Sequence, residues 1–483
     1  MRKFPALKYV IGGLAGAAVP ALVVTGSTFA EEVDPVTTLA QQMNLLWVVI
    51  GAILVIFMQA GFALVETGFT QKKNAAHVMS TNFAIFGLGF VGFLFIGFPL
   101  AFGGFDTSIY FGSGGAAMGE PLLGSGNWTF LWWGYDHLGS AATPALLGFF
   151  LYMVAFMDTV ATIPTGSMAE RWKWNSFVVW GLFCGAVYYP IFAAWTWGGG
   201  WLSKTWDTMG LGAGYVDFAG SGVVHAVGGV AALAGAVVLG PRIGKYGPDG
   251  KPRAIPGHNI PMAQLGCFIL LFGWFGFNAA STFAATDVQF ATVATNTAIA
   301  GAVGAVVGMI YIQLKTGKPD PGMMVNGMLA GLVAVTAPCA FISPWAAVVI
   351  GLVAAVLAIE AVYYFDRKGI DDPVGAIAVH GICGSFGVVA VGIFANGVYG
   401  GGWNGAVDDA GEAIAVKGLL YGEVGQLGAQ LLGLVVIWTV IFGISFGFFK
   451  IQDKLTKGGI RTPEDIEMQG SDIPEMGVAA YND

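Results

Sequence analysis

The sequence predicts an all-α polytopic membrane protein with eleven transmembrane helices. Its composition, its recurring apolar segments and the distribution of its positive charge predict this fold. Of the 483 residues, 56% are hydrophobic and 10% are charged, whereas soluble globular chains carry about 25% charged residues. This composition argues against a soluble enzyme and a disordered chain. Nucleic-acid binding is disfavoured because 29 Asp and Glu outnumber 21 Lys and Arg.

The first thirty residues have the pattern of a cleavable secretory signal. Arg2, Lys3 and Lys8 precede an apolar stretch, and a small-x-Ala sequence ends at Ala30, before Glu31. We predict a signal peptide at 1–30 and a mature N-terminus outside the cell. An uncleaved additional helix is the alternative.

Eleven apolar segments follow, each of about 20 residues and long enough to cross about 30 Å of hydrocarbon. We place the spans near 43–65, 80–103, 141–165, 175–196, 217–240, 260–280, 289–312, 323–342, 345–364, 376–396 and 425–449.

Positive charge orients these spans, because cytoplasmic loops of membrane proteins are enriched in Lys and Arg. With the N-terminus outside, sixteen of the 21 Lys and Arg residues lie inside and three lie in the signal segment. Only Lys204 and Lys417 lie outside. The pattern predicts an odd number of spans, with the N-terminus outside and the C-terminus inside.

Two segments share one spacing. Asp217 is followed by apolar and small residues, by His225 eight residues later and then by glycines, and Asp372 and His380 repeat this arrangement. The copies are five spans apart, and an odd separation inverts the second copy in the membrane. We therefore predict a five-plus-five inverted repeat plus an eleventh helix, in a transmembrane domain at 31–457: repeat one about 43–240, repeat two about 260–396 and the last helix about 425–449.

The two histidines fall at matched depths in this repeat. Eight helical residues rise about 12 Å, so His225 and His380 approach the midplane of a ~30 Å core from opposite faces. Inverted-repeat transporters have their sites at this depth. The pattern predicts that both imidazoles lie close together and hydrogen-bond a small polar solute. Asp217 and Asp372 begin their helices, where a carboxylate stabilises the positive helix end.

At these residues the sequence resembles the ammonium transporter family (Amt/Mep/Rh), and its Amt branch in particular. The resemblance runs from about residue 39 to 481 and is carried by several strings in order: AER at 169–171, WTWGGG at 195–200, DFAG at 217–220 with His225, GWFGFNAAS at 273–281, and DDP at 371–373 with His380. It implies a homotrimer in which each eleven-helix subunit has one narrow pore.

The resemblance also implies roles for individual residues. His225 and His380 match the twin pore histidines, Phe156 and Phe277 match a phenylalanine gate, and Asp217 matches an essential carboxylate. The outer ammonium site matches Trp197, Ser281, Tyr152 and Phe156, with Tyr152 standing where the family often has Phe. Trp274 and Asp158, an acid inside the third span, are further candidates.

Three parts of the chain are less informative. The loop 104–140 is an outer segment rich in Gly, Trp and acids. The tail 458–483 resembles the family's cytoplasmic regulatory region, which packs under neighbouring subunits. A PII-type signalling protein on the cytoplasmic face is a further expected partner, and the bacterial inner membrane is the expected location.

Three functions compete. The first is a selective ammonium or ammonia channel or transporter. The second is an ammonium sensor of the same fold with little flux, and the third is an Rh-like channel for ammonia or carbon dioxide. Trp197 and the Asp217-to-His225 string favour the Amt branch. The sequence has no metal-spaced cluster and no nucleophile–base pair, so it predicts neither an enzyme nor a cofactor. The cysteines Cys184, Cys267, Cys339 and Cys383 lie in apolar segments, which predicts buried thiols.

Overall fold

A computed structural model describes residues 34–105, 107–111, 119–134, 137–139 and 142–481. The predicted signal peptide lies outside the described residues, as does part of the outer loop 104–140. The rest is predominantly helical, with one two-stranded antiparallel sheet in the described part.

The helices and strands follow one another along the chain in this order: α1 Pro35–Phe69, α2 Ala75–Gly92, α3 Phe98–Phe102, α4 Ser108–Phe111, β1 Glu120–Leu123, β2 Leu131–Trp133, α5 Pro144–Met168, α6 Trp174–Phe183, α7 Tyr189–Trp195, α8 Thr205–Met209, α9 Val227–Leu239, α10 Ile260–Asn278, α11 Gln289–Thr316, α12 Pro321–Val335, α13 Pro344–Arg367, α14 Cys383–Phe394, α15 Gly425–Val436, α16 Phe442–Leu455 and α17 Glu464–Gln469. Single π-helical turns join several of them: Phe93–Gly97, Cys184–Tyr188, Ser221–Ala226, Ile377–Ile382 and Ile437–Ile441.

Ten helices of the described chain are long and apolar enough to cross a membrane. The eighth predicted span, 323–342, corresponds to α12, which is apolar but has only 15 residues. A multi-pass membrane protein is therefore confirmed, whereas the count of eleven spans, the inverted repeat and the orientation stay predictions.

The starts of the long helices follow from local sequence. Asp34, Thr143, Asn259 and Asp320 each accept a backbone N–H of the first turn through the side chain. Proline stands in the first turn of all four helices, where its missing N–H costs nothing.

Small residues let the helices approach closely. Gly61 of α1 and Gly266 of α10 face each other, and a Cβ added to either would lie within 3 Å of the other's carbonyl oxygen. Such contacts replace the hydrophobic driving force that helices lack in lipid.

The two histidine-bearing segments begin alike. Gly220 and Gly375 both have positive φ angles, three residues after their aspartates, and a π-helical turn carrying the histidine follows each. The segments cross where Gly229 meets Gly381, because a Cβ on Gly229 would lie 2.2 Å from the Gly381 nitrogen.

The C-terminal segment packs against the start of α2 and the neighbouring loops of this chain. The Asp472 carboxylate accepts the backbone N–H groups of Ala76 and His77, at 3.1 and 2.9 Å, and so caps α2 from a distance in sequence. Glu475 contacts the His77 ring at 3.0 Å, and Glu467 pairs with Arg461 at 2.8 Å.

Candidate functional site

The imidazoles of His225 and His380 meet inside the bundle. Their Nδ1 atoms are 3.1 Å apart and their ring centroids are 5.2 Å apart. Both are buried, His225 fully and His380 with 5% of its surface exposed. The structure thus brings together two residues that are 155 positions apart in the sequence.

Aromatic rings cover one side of this pair. The His225 ring lies 5.1 Å from the Trp274 ring and 5.4 Å from the Phe277 ring, in stacked orientation. The Trp274 indole is fixed because its N–H donates to the Thr336 hydroxyl at 2.8 Å. The His225 Nε2 atom has no hydrogen-bond partner among the described residues.

Phe156 and Phe277 form the tightest contact of this aromatic group. Their centroids are 4.2 Å apart with an interplanar angle of 29°, and both rings are buried. Phe156 is in turn 5.7 Å from the Trp197 ring and 4.8 Å from the Tyr152 ring. The seven aromatic and histidine side chains therefore form one continuous column from Trp197 to His380.

The Trp197 end of the column combines rings with hydroxyl groups. The Tyr152 and Ser281 hydroxyl oxygens are 3.0 Å apart, and Ser281 donates to the Phe277 carbonyl at 2.7 Å. The Trp197 N–H donates to the Asp217 carbonyl at 2.7 Å, which fixes the indole, and the ring stays partly exposed. The four residues predicted for an outer site are thus brought together.

Asp217 and Asp372 have their carboxylates on backbone amides. Asp217 accepts the N–H groups of Gly220, Gly222 and Val223, each at 2.8 Å, and Asp372 accepts two, at 2.7 and 3.1 Å. These bonds satisfy helix-start amides that have no partner within the helix.

Asp158 is not part of the column. It lies two residues after Phe156 on α5, which turns its side chain about 200° away from that ring. It is 3% exposed, and its Oδ1 atom has no hydrogen-bond partner in the described part of the chain.

A buried ion cluster at the loop ends near the C-terminal segment was missed by the sequence reasoning. Arg242 bonds Asp371 through Nε at 2.8 Å and also pairs with Glu170, and all three are buried. Arg171 donates to the Asp371 carbonyl at 2.8 Å. The DDP and AER strings contained these residues, but nothing in them indicated that they meet.

The electrostatics of the cluster follow from burial and pairing. Burial alone would raise the pKa of Glu170, but the charge and hydrogen bond of Arg242 bring that pKa below its usual value. Asp371 behaves alike: burial opposes ionisation, yet the Arg242 hydrogen bond and the Arg171 charge hold its pKa well below the usual range. Burial lowers the pKa of Arg171 to about 10, so it stays charged near neutral pH.

A second missed residue is Glu66 on α1. It is 3% exposed and borders a cavity that His380 also lines. An acid within an otherwise apolar span was the signal that could have found it. Within the described residues, no group of three or more His, Cys, Asp or Glu side chains could hold a metal ion.

Residues 46–481 match the model of the Ammonium Transporter Family. The chain belongs to this family. It is a family of transporters rather than enzymes, and the predicted resemblance is confirmed.

Individual relatives agree with this membership. "Ammonium transporter Amt2" of Archaeoglobus fulgidus is 44% identical over 441 residues, covering 91% of this chain and 88% of that protein. Among solved structures, "Sensor Amt Protein" superposes with a TM-score of 0.77 at 34% identity, covering 91% of this chain and 99% of the other. Mep2 of Candida albicans has a TM-score of 0.70 at 27% identity, covering 88% and 87%.

Proposed function

We propose that this member of the Ammonium Transporter Family is an ammonium transporter or channel that binds ammonium at the outer aromatic group, deprotonates it and passes ammonia along the histidine pair. One observation carries the proposal: the Phe156–Phe277 stack adjoins the paired imidazoles of His225 and His380 without a charged side chain between them. The resulting path suits a small neutral molecule that forms hydrogen bonds.

Binding at the outer end uses rings and oxygen atoms. A cation over an aromatic face gains roughly 0.5–2 kcal/mol, and Trp197 has its N–H occupied and its ring partly exposed. The Tyr152 and Ser281 oxygens can accept hydrogen bonds, which ammonium offers and K⁺ or Na⁺ cannot. These contacts favour ammonium over other small cations.

Passage beyond the phenylalanine stack favours the neutral form. A bare charge at the bilayer centre costs at least about 2.5–3.5 kcal/mol on insertion scales. Ammonium avoids this cost by losing its proton, whereas K⁺ and Na⁺ have no proton to lose. Selectivity is then chemical as well as steric.

The histidine pair suits ammonia because each neutral imidazole has one donor and one acceptor nitrogen. The short Nδ1–Nδ1 distance means that one Nδ1 donates and the other accepts. The Nε2 atoms are then one acceptor and one donor, available to a passing solute. Two adjacent imidazoles also disfavour protonation of both, so the pair adds little positive charge to the path.

An ammonium sensor is the second candidate, since a solved structure titled "Sensor Amt Protein" is 34% identical over 91% of this chain. A sensor requires binding at the outer group but little flux. Retention of both histidines supports the transport proposal.

We extend the proposal to assembly and location. Eleven spans with the C-terminus inside, a homotrimer and a bacterial inner membrane are supported by family membership and by the Lys and Arg distribution. Within this tail, residues 458–481 lie beside the basic loops and would face a PII-type protein on that side.

Purified protein in liposomes tests the function. We expect an ammonium pulse to elicit a transient current, or a pH change of a trapped dye if conduction is neutral, and a potassium pulse to elicit neither. The His225→Ala/His380→Ala double variant should lose the signal or its discrimination against potassium. Saturable ammonium binding without either signal, in vesicles shown to contain folded protein, would favour the sensor.

A further inference from the structure

His380 of the histidine pair borders a cavity that combines apolar and polar side chains in its lining. Its lining is mostly apolar, including Phe62 and Val379, but it also contains His380, Asn326 and the carboxyl-bearing residue Glu66. The space open to the centre of a water molecule is about 20 Å³, above the roughly 10–15 Å³ that one water requires. Ammonia is about the size of water, so the cavity can hold it.

The Glu66 carboxyl is held in place by neutral donors. The Asn82 side-chain amide donates to Oε2 at 2.6 Å, and the Thr165 hydroxyl is 2.9 Å from both carboxyl oxygens. Gln59 and Thr162 in turn hold Asn82, so side chains from α1, α2 and α5 fix the carboxyl orientation. Glu66 forms no ion pair in the part of the chain that the structure describes.

A carboxylate in this position lacks a compensating cation. Burying an unpaired charge is strongly unfavourable, so the group either holds a proton or pairs with a cation from the cavity. The surrounding titratable groups are His380 across the cavity and Asp372. The negative charge of Asp372 makes an uncompensated Glu66 carboxylate still less favourable. A proton or a small cation such as ammonium can compensate the Glu66 carboxylate.

The carboxylates of Asp217 and Asp372 are less available than that of Glu66 to a species in the cavity. Their oxygens are occupied by backbone N–H groups of the helix starts, whereas Glu66 borders a cavity. Among these three acids, Glu66 is the one that is held mainly by side chains, with one backbone bond from Gly166, and that borders the cavity.

We propose that Glu66 is the proton-binding residue of an inner ammonium site, formed with His380 at the end of the channel that faces the C-terminal segment. The inference rests on the proposed function and names a group for the inner half of the path. Ammonia arriving from His380 takes the carboxyl proton, so an N–H bond forms and the O–H bond breaks. The products are ammonium and the Glu66 carboxylate, held as an ion pair in the cavity.

The cycle closes when ammonium leaves to solution and a proton from solution returns to the carboxylate. Transport in the other direction reverses each step. The proton that reaches Glu66 therefore need not have crossed the membrane with the same ammonia molecule.

The test compares Glu66→Gln with Glu360→Gln in full-length protein in liposomes, with ammonium chloride as substrate. Glu360 is a matched control because it lies on α13, paired with Tyr311 and Lys315 and away from the cavity. We expect Glu66→Gln to lower the initial rate at least about tenfold, which is less than the typical 10²–10⁴-fold contribution of general acid–base catalysis because cavity water can substitute in part. In Glu66→Gln, the dependence of the initial rate on the pH at the inner side should also disappear, whereas Glu360→Gln should match the wild type.

Glu66→Asp separates proton binding from structural support. This variant keeps an acid, so we expect it to recover part of the rate and to retain a pH dependence. If Glu66→Asp and Glu66→Gln fall equally and keep the wild-type pH profile, Glu66 is a structural residue and the proposal is overturned.

Infrared difference spectroscopy gives a readout that does not depend on flux. Adding ammonium chloride at fixed pH should convert a protonated-carboxyl band into a carboxylate band in the wild type but not in Glu66→Gln. Absence of this change in the wild type overturns the proposal. Wild-type vesicles without an ammonium-specific signal contradict the proposed function instead, whereas wild-type transport that Glu66→Gln leaves intact overturns only the role of Glu66.

Discussion

The two histidine-bearing segments have the same local design but are held by different forces. The Asp217 segment is fixed by neutral groups: backbone amides on its carboxylate, the Trp197 indole on its carbonyl, and Gln430, which bonds both the N–H and the C=O of Val216. The Asp372 segment adjoins Asp371, which is held by the buried cations Arg242 and Arg171.

This difference follows from which charges each end of the bundle has available. Only two Lys or Arg residues are expected on the outer side, whereas the opposite end is rich in them. One sequence motif, held by backbone amides in both copies, therefore has further hydrogen bonds beside it at one end and ion pairs beside it at the other. The surroundings also differ along the path, since aromatic rings cover His225 while His380 borders the cavity with Glu66.

Removing Arg242, the cation of the buried ion cluster, should have the largest effect. Arg242→Met leaves the buried carboxylates of Glu170 and Asp371 without their main partner, so we expect the free energy of unfolding to fall by about 3–5 kcal/mol. Denaturant titration in mixed micelles measures it, with Arg253→Met in the exposed part of the same loop as the control. Equal small losses in both variants would contradict the claim that the Arg242 ion pairs stabilise this end of the bundle.

Neutralising the two motif aspartates compares the segments directly. Asp217→Asn removes a charged acceptor of three backbone bonds and should cost about 1.5–3 kcal/mol, whereas Asp372→Asn removes an acceptor of two and should cost about 1–2 kcal/mol. The same titration measures both. A larger loss for Asp372→Asn would show that the count of bonds does not decide the order.

Acid should selectively weaken the end of the bundle that contains the Arg242 ion cluster. Glu170 and Asp371 have folded-state pKa values below the ordinary 4.5 and 3.8, so their contribution is fully present above those values and is lost as the pH falls through the folded-state values. We expect a loss on the order of 1 kcal/mol per pKa unit of difference, starting below about pH 4.5. Thermal unfolding between pH 7 and 3 tests this, and Arg242→Met should flatten the profile; an unchanged slope in that variant would speak against it.

The smallest effect is expected from Trp197→Phe. It removes one neutral hydrogen bond to Asp217 but keeps an aromatic face, so we expect a loss of about 0.5–1.5 kcal/mol. The ammonium concentration for half-maximal current should rise less than about tenfold, because a Phe ring still attracts a cation, although more weakly than a Trp ring. A destabilisation as large as that of Arg242→Met would remove the distinction between the two ends.

Much of the fold could be predicted from the sequence. Apolar segments of spanning length predicted the helices, because a backbone in lipid has to satisfy its hydrogen bonds within each segment. The eighth span is the exception, because α12 ends at Val335. A turn follows at Thr336, and the Thr336 hydroxyl accepts a hydrogen bond from the Trp274 N–H. Hydropathy carries no information about such a tertiary bond.

The equal spacing of Asp217–His225 and Asp372–His380 also predicted the histidine pair, since local helix geometry sets the depth of each residue. Asp158 shows the limit of this reasoning. An acid in the third span is visible in the sequence, but the direction in which it points depends on how α5 is rotated by its neighbours.

By itself, then, the sequence determined membrane class, helix positions and the matched frames of two histidines, all of which depend on interactions between residues near in sequence. Only the tertiary structure decided that Arg242 joins Glu170 and Asp371, 72 and 129 residues away, and that Glu66 meets Thr165, 99 residues away. The physical reason is that a buried charge is stable only with a partner, and packing of helices distant in sequence selects that partner.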